Sequence, residues 1–174
     1  MTQPAGLEIS PAIAADVPLI LSLINELAVY EKLAHESVAT EASIHKALFG
    51  SRPSAEAVIA RFDAAPAGFA LFFHNFSTFL GKPGLYLEDL FVRPAYRGRA
   101  IGKSLLSYLA ALAVERDCGR FQWQVLDWNQ PSRDFYERLG AQADAAWVNY
   151  RMTGDALRRL AESAGSGLPR QDKT

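Results

Sequence analysis

One stretch near the middle of the chain decides the fold, and it reads YLEDLFVRPAYRGRAIGKS from Tyr86 to Ser104. The apolar and aromatic run Leu85–Val92 predicts a strand. The loop Gly98–Gly102 follows, and its small residues let the backbone approach a ligand closely. A helix is predicted to begin at Lys103, so the positive end of its dipole faces the same loop. Backbone N–H groups in a loop at a helix N-terminus favour an anion, typically phosphate.

Basic side chains support a phosphate site in this loop, and the spacing of its glycines excludes one known type of phosphate-binding loop. Arg97, Arg99 and Lys103 add positive charge, and an arginine can bind two phosphate oxygens at once. The Walker A pattern G-x-x-x-x-G-K-[ST] does not fit, because Gly98 and Gly102 are one residue too close. A plain polar turn between strand and helix is the alternative interpretation, and the rest of the chain argues against it.

The remaining hydrophobic pattern predicts a mixed α/β protein. The N-terminal half predicts strand Leu7–Ser10, a helix capped by Asp16 that runs to about Leu33, a helix opened by Thr40, and strands Ala57–Phe62 and Gly68–Asn75. The C-terminal half predicts helix Lys103–Arg116, strand Arg120–Leu126, helix Pro131–Leu139 closed by Gly140, strand Trp147–Met152 and a short helix Asp155–Glu162. Such a series places helices on both faces of one sheet. We expect a single domain over residues 1–162 and a disordered tail over 163–174.

Composition limits the class of function. Hydrophobic residues make up 49% of the 174 residues, charged residues 21%, and the net charge is -1, which argues against a nucleic-acid or membrane-surface partner. Cys118 is the one cysteine, so no disulfide within the chain is possible, and the three histidines have no metal-ligand spacing. No signal peptide or membrane-spanning run is recognised, and we expect a cytoplasmic protein without a metal.

The loop resembles a known motif. Arg97-Gly-Arg-Ala-Ile-Gly102 is similar to the coenzyme A-binding pattern [QR]-x-x-G-x-[GA] of the GNAT acetyltransferases. Ala100 stands where that family usually has glycine. Alanine keeps the N–H donor, and a helical φ is expected for it, so phosphate binding should survive. The resemblance runs from Leu7 to Met152 and is strongest to the diamine acetyltransferases, which include the spermidine/spermine and thialysine enzymes.

The resemblance implies a mixed, mostly antiparallel sheet that is splayed open between its fourth and fifth strands, with acetyl-coenzyme A (acetyl-CoA) held at the gap. Leu90, Phe91 and Val92 would contact the pantetheine arm through their backbones. The pyrophosphate would be held by Arg97, Gly98, Arg99, Ala100, Ile101, Gly102, Lys103 and Ser104. Asn129 and Ser132 would contact the cofactor from the far side. A homodimer is also implied by the resemblance alone.

Acetyl transfer to an amine requires a base and an acid. The attacking amine must lose a proton, since a lysine-like amine has a pKa of about 10.4. Glu88 is the candidate base, and Asp89 beside it should face the opposite side because side chains alternate along a strand. Tyr136 matches the catalytic tyrosine of the family and would protonate the thiolate that leaves. A covalent intermediate on Cys118 is not expected, so direct attack in a ternary complex is favoured.

The acidic residues indicate a small cationic substrate. Tyr30, Glu31, Glu88, Asp89, Gln122, Trp123 and Gln124 are the candidate substrate-binding residues, with Trp123 offering a cation–π face. A polyamine and a lysine-like amino acid are equally compatible, and Arg93 and Arg133 are available for the carboxylate of an amino acid. A GNAT enzyme for an antibiotic or a protein N-terminus, or an acyl-CoA-binding module without turnover, are the alternatives.

Overall fold

The computed structural model describes residues 4–164, which form a five-stranded sheet and five α-helices. The strands are β1 (Leu7–Pro11), β2 (Glu56–Phe62), β3 (Ala65–Ser77), β4 (Lys82–Val92) and β5 (Arg120–Trp123). The helices are α1 (Val17–Tyr30), α2 (Glu41–Phe49), α3 (Ile101–Glu115), α4 (Gln130–Arg138) and α5 (Gly154–Glu162). Thr40 caps α2 as predicted, since its hydroxyl accepts from Ser43 N–H at 3.2 Å.

The sheet confirms the predicted mixed topology. The strands lie in the order β1-β2-β3-β4-β5, antiparallel throughout except for the parallel pair β4–β5. That pair joins only Gly84–Leu87 to Arg120–Trp123, whereas β4 continues to Val92 against β3. The predicted extension of β5 to Leu126 is wrong, because the strand diverges from β4 after Trp123. The divergence is the splay.

Two layers of side chains bury the two faces of the sheet. On one face, which we call the α1 face, Ile59, Phe69 and Phe91 join Ile20 and Leu23 in a single buried cluster. The residues that alternate with them, such as Phe72, Leu85 and Leu87, are buried on the opposite face. Helix α3 covers that second face with its own buried residues, among them Leu105 and Leu109. We call it the α3 face.

One prediction about a helix cap is wrong. Asp16 precedes α1, but its side chain makes no capping hydrogen bond to that helix. It accepts instead from Ile13 N–H at 2.9 Å and pairs with the Arg61 guanidinium at 2.7 Å. Asp16 therefore ties the entry to α1 to strand β2, which is a tertiary role that propensity does not reveal.

The chain divides into two compact units, one extending to Leu126 and one beginning at Asp127. The first unit contains the whole sheet and helices α1–α3, and the second contains α4 and α5. The prediction of a strand at Trp147–Met152 is wrong, because these residues form no ladder within residues 4–164 and Tyr150 is 95% exposed. Aromatic and β-branched residues favour a strand only where a neighbouring strand pairs with them. The predicted tail lies outside the described residues from position 165 onward.

Among residues 4–164, none of the helices combines the length and apolar character needed to cross a bilayer.

Candidate active site

The predicted anion-binding loop has an unusual backbone. Gly98 has a φ of +78° and Ala100 a φ of +58°, so both lie in the left-handed region. The expectation of a helical φ at Ala100 is therefore wrong. Helix α3 begins at Ile101, two residues earlier than predicted, and Ser104 N–H donates to Ala100 O at 2.9 Å to close its first turn. The left-handed turn directs the loop into the helix, so the loop and the first-turn N–H groups lie next to one another.

The first prediction concerns Ala100, whose left-handed conformation is strained by its Cβ atom. Replacing alanine by glycine at such a position removes a cost of about 1 kcal/mol. We expect Ala100→Gly to raise the free energy of unfolding in urea by about that amount. Ala64→Gly is the matched control, because Ala64 has a φ of +64° in the β2–β3 turn. An unchanged midpoint for Ala100→Gly beside a stabilised Ala64→Gly would contradict the assignment of strain to the loop.

The side chains of the loop are partly engaged by the protein itself. The Arg97 guanidinium lies 4.5 Å from the centre of the Tyr30 ring, and its Nε donates to Val92 O at 3.1 Å. The Arg99 guanidinium lies over Phe62 at 5.1 Å. Ile101 is 1% exposed, so only its backbone can contact a cofactor. Stacking uses only the face of a guanidinium, so Arg99 keeps its N–H edges for phosphate and Arg97 keeps its Nη groups.

The end of β4 presents peptide groups to the splay. Arg93 N–H donates to Ala67 O at 2.9 Å, and a Cβ built on Gly68 would lie 2.3 Å from Phe91 O, so both groups point towards β3. Because peptide groups alternate in direction along a strand, those of Leu90 and Val92 point away from β3, towards the gap. The Phe91 side chain lies in the core at 4% exposure. Leu90 and Val92 are therefore the better candidates for backbone contacts with a pantetheine arm.

A β-bulge corrects the predicted orientation of the two acids. The register between β3 and β4 pairs Leu71 with Asp89 but Phe72 with Leu87, so Glu88 is an extra residue. Asp89 lies opposite Leu71, which is packed against the α1-face cluster. Glu88 follows Leu87, which lies on the α3 face, so alternation directs Glu88 to the α1 face as well. The prediction that Glu88 and Asp89 face opposite sides is therefore wrong.

The charges of two other carboxylates act on Asp89 at this bulge. Burial, together with the negative charges of Glu88 and Glu31, raises the pKa of Asp89 to about 6. Burial also raises the pKa of Glu31, which directly follows α1. The pKa of Tyr86 is raised by burial and by the charge of Glu88. We call Glu31, Glu88 and Asp89 the carboxylate cluster, and it is suited to binding a cation.

The second prediction follows from the buried charge of Asp89. A carboxyl whose folded pKa lies above its ordinary 3.8 favours folding most when protonated, so its stabilising contribution is lost as the pH rises from about 4 to about 6. Asp89→Asn removes that charge. We expect it to raise the free energy of unfolding at pH 7.5 by on the order of 2 kcal/mol and to change it little at pH 4. It should also raise the KM for the amine.

Urea denaturation at the two pH values measures this effect. Glu88→Gln is the matched control, because Glu88 is exposed and its charge causes only part of the Asp89 shift, so its replacement should stabilise the protein at pH 7.5 by much less than Asp89→Asn. A stabilisation of Asp89→Asn that is equal at pH 4 and pH 7.5 would contradict the pH dependence expected of a buried carboxylate.

The predicted substrate residues of β5 are divided between the two faces. Gln122 pairs with Tyr86 in the register and accepts from Asn75 Nδ2 at 3.4 Å, on the α1 face. Trp123 pairs with Leu87 on the α3 face and packs against Phe121 with ring centres 4.9 Å apart. Gln124 is exposed beyond the end of β5. The register therefore brings Gln122 to the face of the carboxylate cluster but gives no support to a cation–π contact from Trp123 there.

Arg93 is engaged by the protein. Its guanidinium forms a two-pronged ion pair with Glu26, with Nη2 to Oε1 at 2.6 Å and Nε to Oε2 at 2.9 Å. Nη1 donates to Pro66 O at 3.0 Å. Hydrogen bonding to Glu26 raises the pKa of Arg93. The pair links α1 to both β3 and β4, so Arg93 holds the scaffold together and is poorly placed for a substrate carboxylate.

The second unit contains the remaining candidates. Asn129 is 5% exposed and caps α4, because its Oδ1 accepts from Ser132 N–H at 3.4 Å. Arg133 donates to Asp127 O at 3.2 Å. Tyr136 lies on α4 beside Phe135, with ring centres 5.5 Å apart, and both side chains are half-buried. Asn129 and Ser132 thus have a demonstrable part in forming the helix that carries Tyr136.

Sequence reasoning missed two features of the site. The bulge in β4 depends on its pairing with β3, and no residue type within β4 predicts it. The Arg97–Tyr30 contact joins residues far apart in the sequence, and the pattern of α1 gives no signal for it. Among residues 4–164, no three His, Cys, Asp or Glu side chains are grouped so that they could hold a metal ion.

Comparisons with known proteins identify the class of enzyme. A profile of the Acetyltransferase (GNAT) family matches residues 22–141, and this chain belongs to that family. It is similar to an L-ornithine N5-acetyltransferase of Arabidopsis thaliana, with 34% identity over 86% of this chain and 85% of the relative. It is also 34% identical to a thialysine N-epsilon-acetyltransferase of Mus musculus, over 90% of this chain and 98% of the relative.

A solved structure supports the fold. An integron cassette protein from the mobile metagenome of V. cholerae matches 90% of this chain and 98% of its own, with a TM-score of 0.77 and 25% sequence identity. This chain is therefore a GNAT acetyltransferase. GNAT acetyltransferases take the acetyl group from acetyl-CoA.

Proposed function

We propose that the enzyme transfers the acetyl group of acetyl-CoA to a primary amine of a small cationic substrate, a lysine-like amino acid or a polyamine. The observation that carries the proposal is the carboxylate cluster at the bulge of β4, beside the gap between β4 and β5. Because the same strand leads into the anion-binding loop, the cation site and the cofactor site share one backbone. The amine attacks directly, without an acyl-enzyme.

Acetyl-CoA supplies an activated thioester, and the loop from Arg97 to Ser104 holds its pyrophosphate. First-turn N–H groups of α3 and the Arg97 and Arg99 side chains bind the phosphate oxygens. The open space at Gly98, where a built Cβ meets no atom within 4 Å, leaves room for the phosphates. The peptide groups of Leu90 and Val92 bind the pantetheine arm. These features together fit a coenzyme A site.

Glu88 is proposed to accept the amine proton. It is exposed and follows Leu87, the last residue of β4 that pairs with β5, so it lies at the opening of the gap. A water molecule can relay the proton because the carboxylate is open to solvent. Asp89 and Glu31, which are more buried, orient the cation through charge and hydrogen bonds. The proposal thus gives different roles to three neighbouring carboxylates.

Two hydrogen-bond donors are proposed to stabilise the negative charges that develop on the acetyl oxygen and on the departing sulfur. Leu90 N–H is proposed to stabilise the negative charge that develops on the acetyl oxygen, because its peptide group points towards the gap. Tyr136 is proposed to protonate the departing thiolate, since a phenol with a pKa of about 10 and a thiol with one of about 8.5 are well matched.

The choice between amino acid and polyamine rests on the relatives, because the charges of this chain do not favour an amino acid. Arg93 is engaged by Glu26, which weakens the expectation of a carboxylate-binding arginine at that point. The relatives named above act on thialysine and ornithine, which are amino acids with a terminal amine. We favour the terminal amine of such an amino acid and keep polyamines in the test. A cytoplasmic homodimer remains a prediction.

Thiol release from acetyl-CoA tests the proposal. The panel contains thialysine, ornithine, lysine, spermidine, an aminoglycoside and a peptide with a free N-terminus. Turnover of at least one of the first four amines, with intersecting initial-velocity lines, is the expected result. Preference for the aminoglycoside or the peptide would support the alternative substrates. Cofactor binding without turnover of any amine would favour an acyl-CoA-binding module.

A further inference from the structure

We propose that Arg97 couples the cofactor site to the amine site by holding the Tyr30 ring in place. The inference rests on the proposed function, because it takes the loop as the cofactor site and the end of α1 as part of the amine site. Arg97 belongs to the loop, whereas Tyr30 is the last residue of α1. Their side chains meet, with the guanidinium carbon 4.5 Å from the ring centre.

The guanidinium of Arg97 contacts the protein at three points, although the side chain as a whole is exposed. Its Nε donates to Val92 O at 3.1 Å, its face covers Tyr30, and the Phe91 ring centre lies 5.9 Å away. Phe91 is buried in the core cluster, and Tyr30 packs against the same cluster. The stack therefore lies where α1, the end of β4 and the loop converge.

Tyr30 connects this stack to the carboxylate cluster. Glu31 is its chain neighbour and directly follows α1, and the charge of Glu31 acts on Asp89 in the direction that raises its pKa. A Tyr30 ring held by Arg97 thus fixes the backbone that presents Glu31. Phosphate oxygens of coenzyme A that bind the N–H groups of Arg97 immobilise the guanidinium and, through it, the Tyr30 ring. The amine then binds to a site that is already ordered, so the entropy cost of ordering Tyr30 is met once for both ligands.

The consequence is reciprocal binding. If coenzyme A orders Tyr30 for the amine, then removing the ring must weaken coenzyme A, although Tyr30 is outside the loop. We expect Tyr30→Leu to weaken coenzyme A binding about twofold to fivefold, the contribution of a partly exposed cation–π contact. Tyr30→Phe keeps the ring and should bind coenzyme A like the unaltered protein. Arg97 is a positioning residue in this role.

Calorimetric titration with coenzyme A alone tests the coupling without any knowledge of the amine. The variants are Tyr30→Leu, Tyr30→Phe, Arg97→Leu and the double variant Tyr30→Leu/Arg97→Leu. If the two residues act as a unit, the double variant will bind coenzyme A about as well as Arg97→Leu alone. Equal affinity of Tyr30→Leu and the unaltered protein, or additive losses in the double variant, would overturn the coupling.

A second measurement uses thialysine as the probe at saturating acetyl-CoA. Arg97→Lys keeps the charge but loses the planar group that stacks on the ring, so the KM for thialysine should rise about twofold to fivefold. Phe62→Leu is the matched control, since it removes the Arg99 contact at the same loop without touching α1. An unchanged KM in Arg97→Lys, or an equal rise in Phe62→Leu, would contradict the role of Tyr30.

The proposed function and the coupling can fail separately. Failure of the unaltered protein to bind coenzyme A would overturn both. Binding of coenzyme A that is insensitive to Tyr30→Leu would overturn the coupling and leave the acetyl-transfer proposal intact. Thermal unfolding of each variant, measured beside the titrations, identifies any variant that is not folded, and Arg97→Lys then provides the test in place of Tyr30→Leu.

Discussion

Tyr136→Phe is expected to lower kcat by about 100-fold or more while coenzyme A affinity stays within about twofold of the unaltered protein. The variant removes one hydroxyl from a half-buried ring and leaves the packing against Phe135 unchanged. Without the phenol, the thiolate must leave unprotonated or take its proton from water. The loss should therefore fall on the rate of transfer and not on cofactor binding.

Steady-state kinetics and calorimetric titration of coenzyme A separate these two effects. Phe135→Leu is the matched control, because it alters the neighbouring ring on α4 and keeps the hydroxyl of Tyr136. Its kcat should remain much closer to that of the unaltered enzyme. A Tyr136→Phe variant that retains half of the turnover, or one that loses coenzyme A affinity in proportion to its rate, would remove Tyr136 from its role as the acid.

Gly98→Glu is expected to weaken coenzyme A binding by about 100-fold. The substitution places a carboxylate beside two phosphate charges. It also forces a side chain into a φ of +78°, which costs about 1 kcal/mol. The charge repulsion destabilises bound coenzyme A, and the backbone strain destabilises the loop conformation that binds it.

Gly98→Ala separates strain from charge. A Cβ at position 98 meets no atom within 4 Å, so alanine adds the backbone cost without a steric clash. We expect Gly98→Ala to lose no more than about fivefold in affinity. The additional deficit of Gly98→Glu should shrink as salt is added, because charge repulsion is screened. Equal affinities of Gly98→Glu and the unaltered protein would show that the loop does not hold the pyrophosphate.

Local signals were sufficient to predict much of the fold. Thr40 has both the residue type and the spacing of a helix cap, and it caps α2. Gly140 follows the last turn of α4 and has a φ of +92°, a conformation that glycine adopts at little cost at a helix C-terminus. The strand before the loop and the helix after it were predicted from hydrophobic period and from small residues. These features depend on neighbours within a few positions, so the sequence reveals them.

Features that depend on distant partners were not predicted. Strict alternation placed Glu88 and Asp89 on opposite sides, but the pairing of Leu71 and Phe72 with β4 introduces a bulge. The end of β5 at Trp123 is set by its divergence from β4, and Val125 and Leu126 look equally compatible with a strand. Ala100 was expected to be helical, yet the turn into α3 requires a left-handed residue there.

The site was predicted by residue type better than by arrangement. Acidic residues, the basic loop and Tyr136 were identified because amine acetylation needs those groups. Only the structure reveals this grouping, since Glu31 and Asp89 are far apart in the sequence. Glu31 directly follows α1, whereas Asp89 lies at the bulge of β4. Arg93 shows the opposite error, because a basic residue next to the site was expected to bind a substrate and forms a scaffold ion pair with Glu26 instead.

The central claim, acetyl transfer from acetyl-CoA to the terminal amine of a small cationic substrate, is tested most directly by product analysis. The enzyme is incubated with acetyl-CoA and an equimolar mixture of thialysine, ornithine and spermidine, and mass spectrometry follows each amine. At least one amine is expected to be acetylated on a primary amine, with one coenzyme A released per acetyl group transferred. Binding of acetyl-CoA with no acetylated amine, or acetyl transfer that is unaffected by Glu88→Gln, Asp89→Asn and Tyr136→Phe, would contradict it.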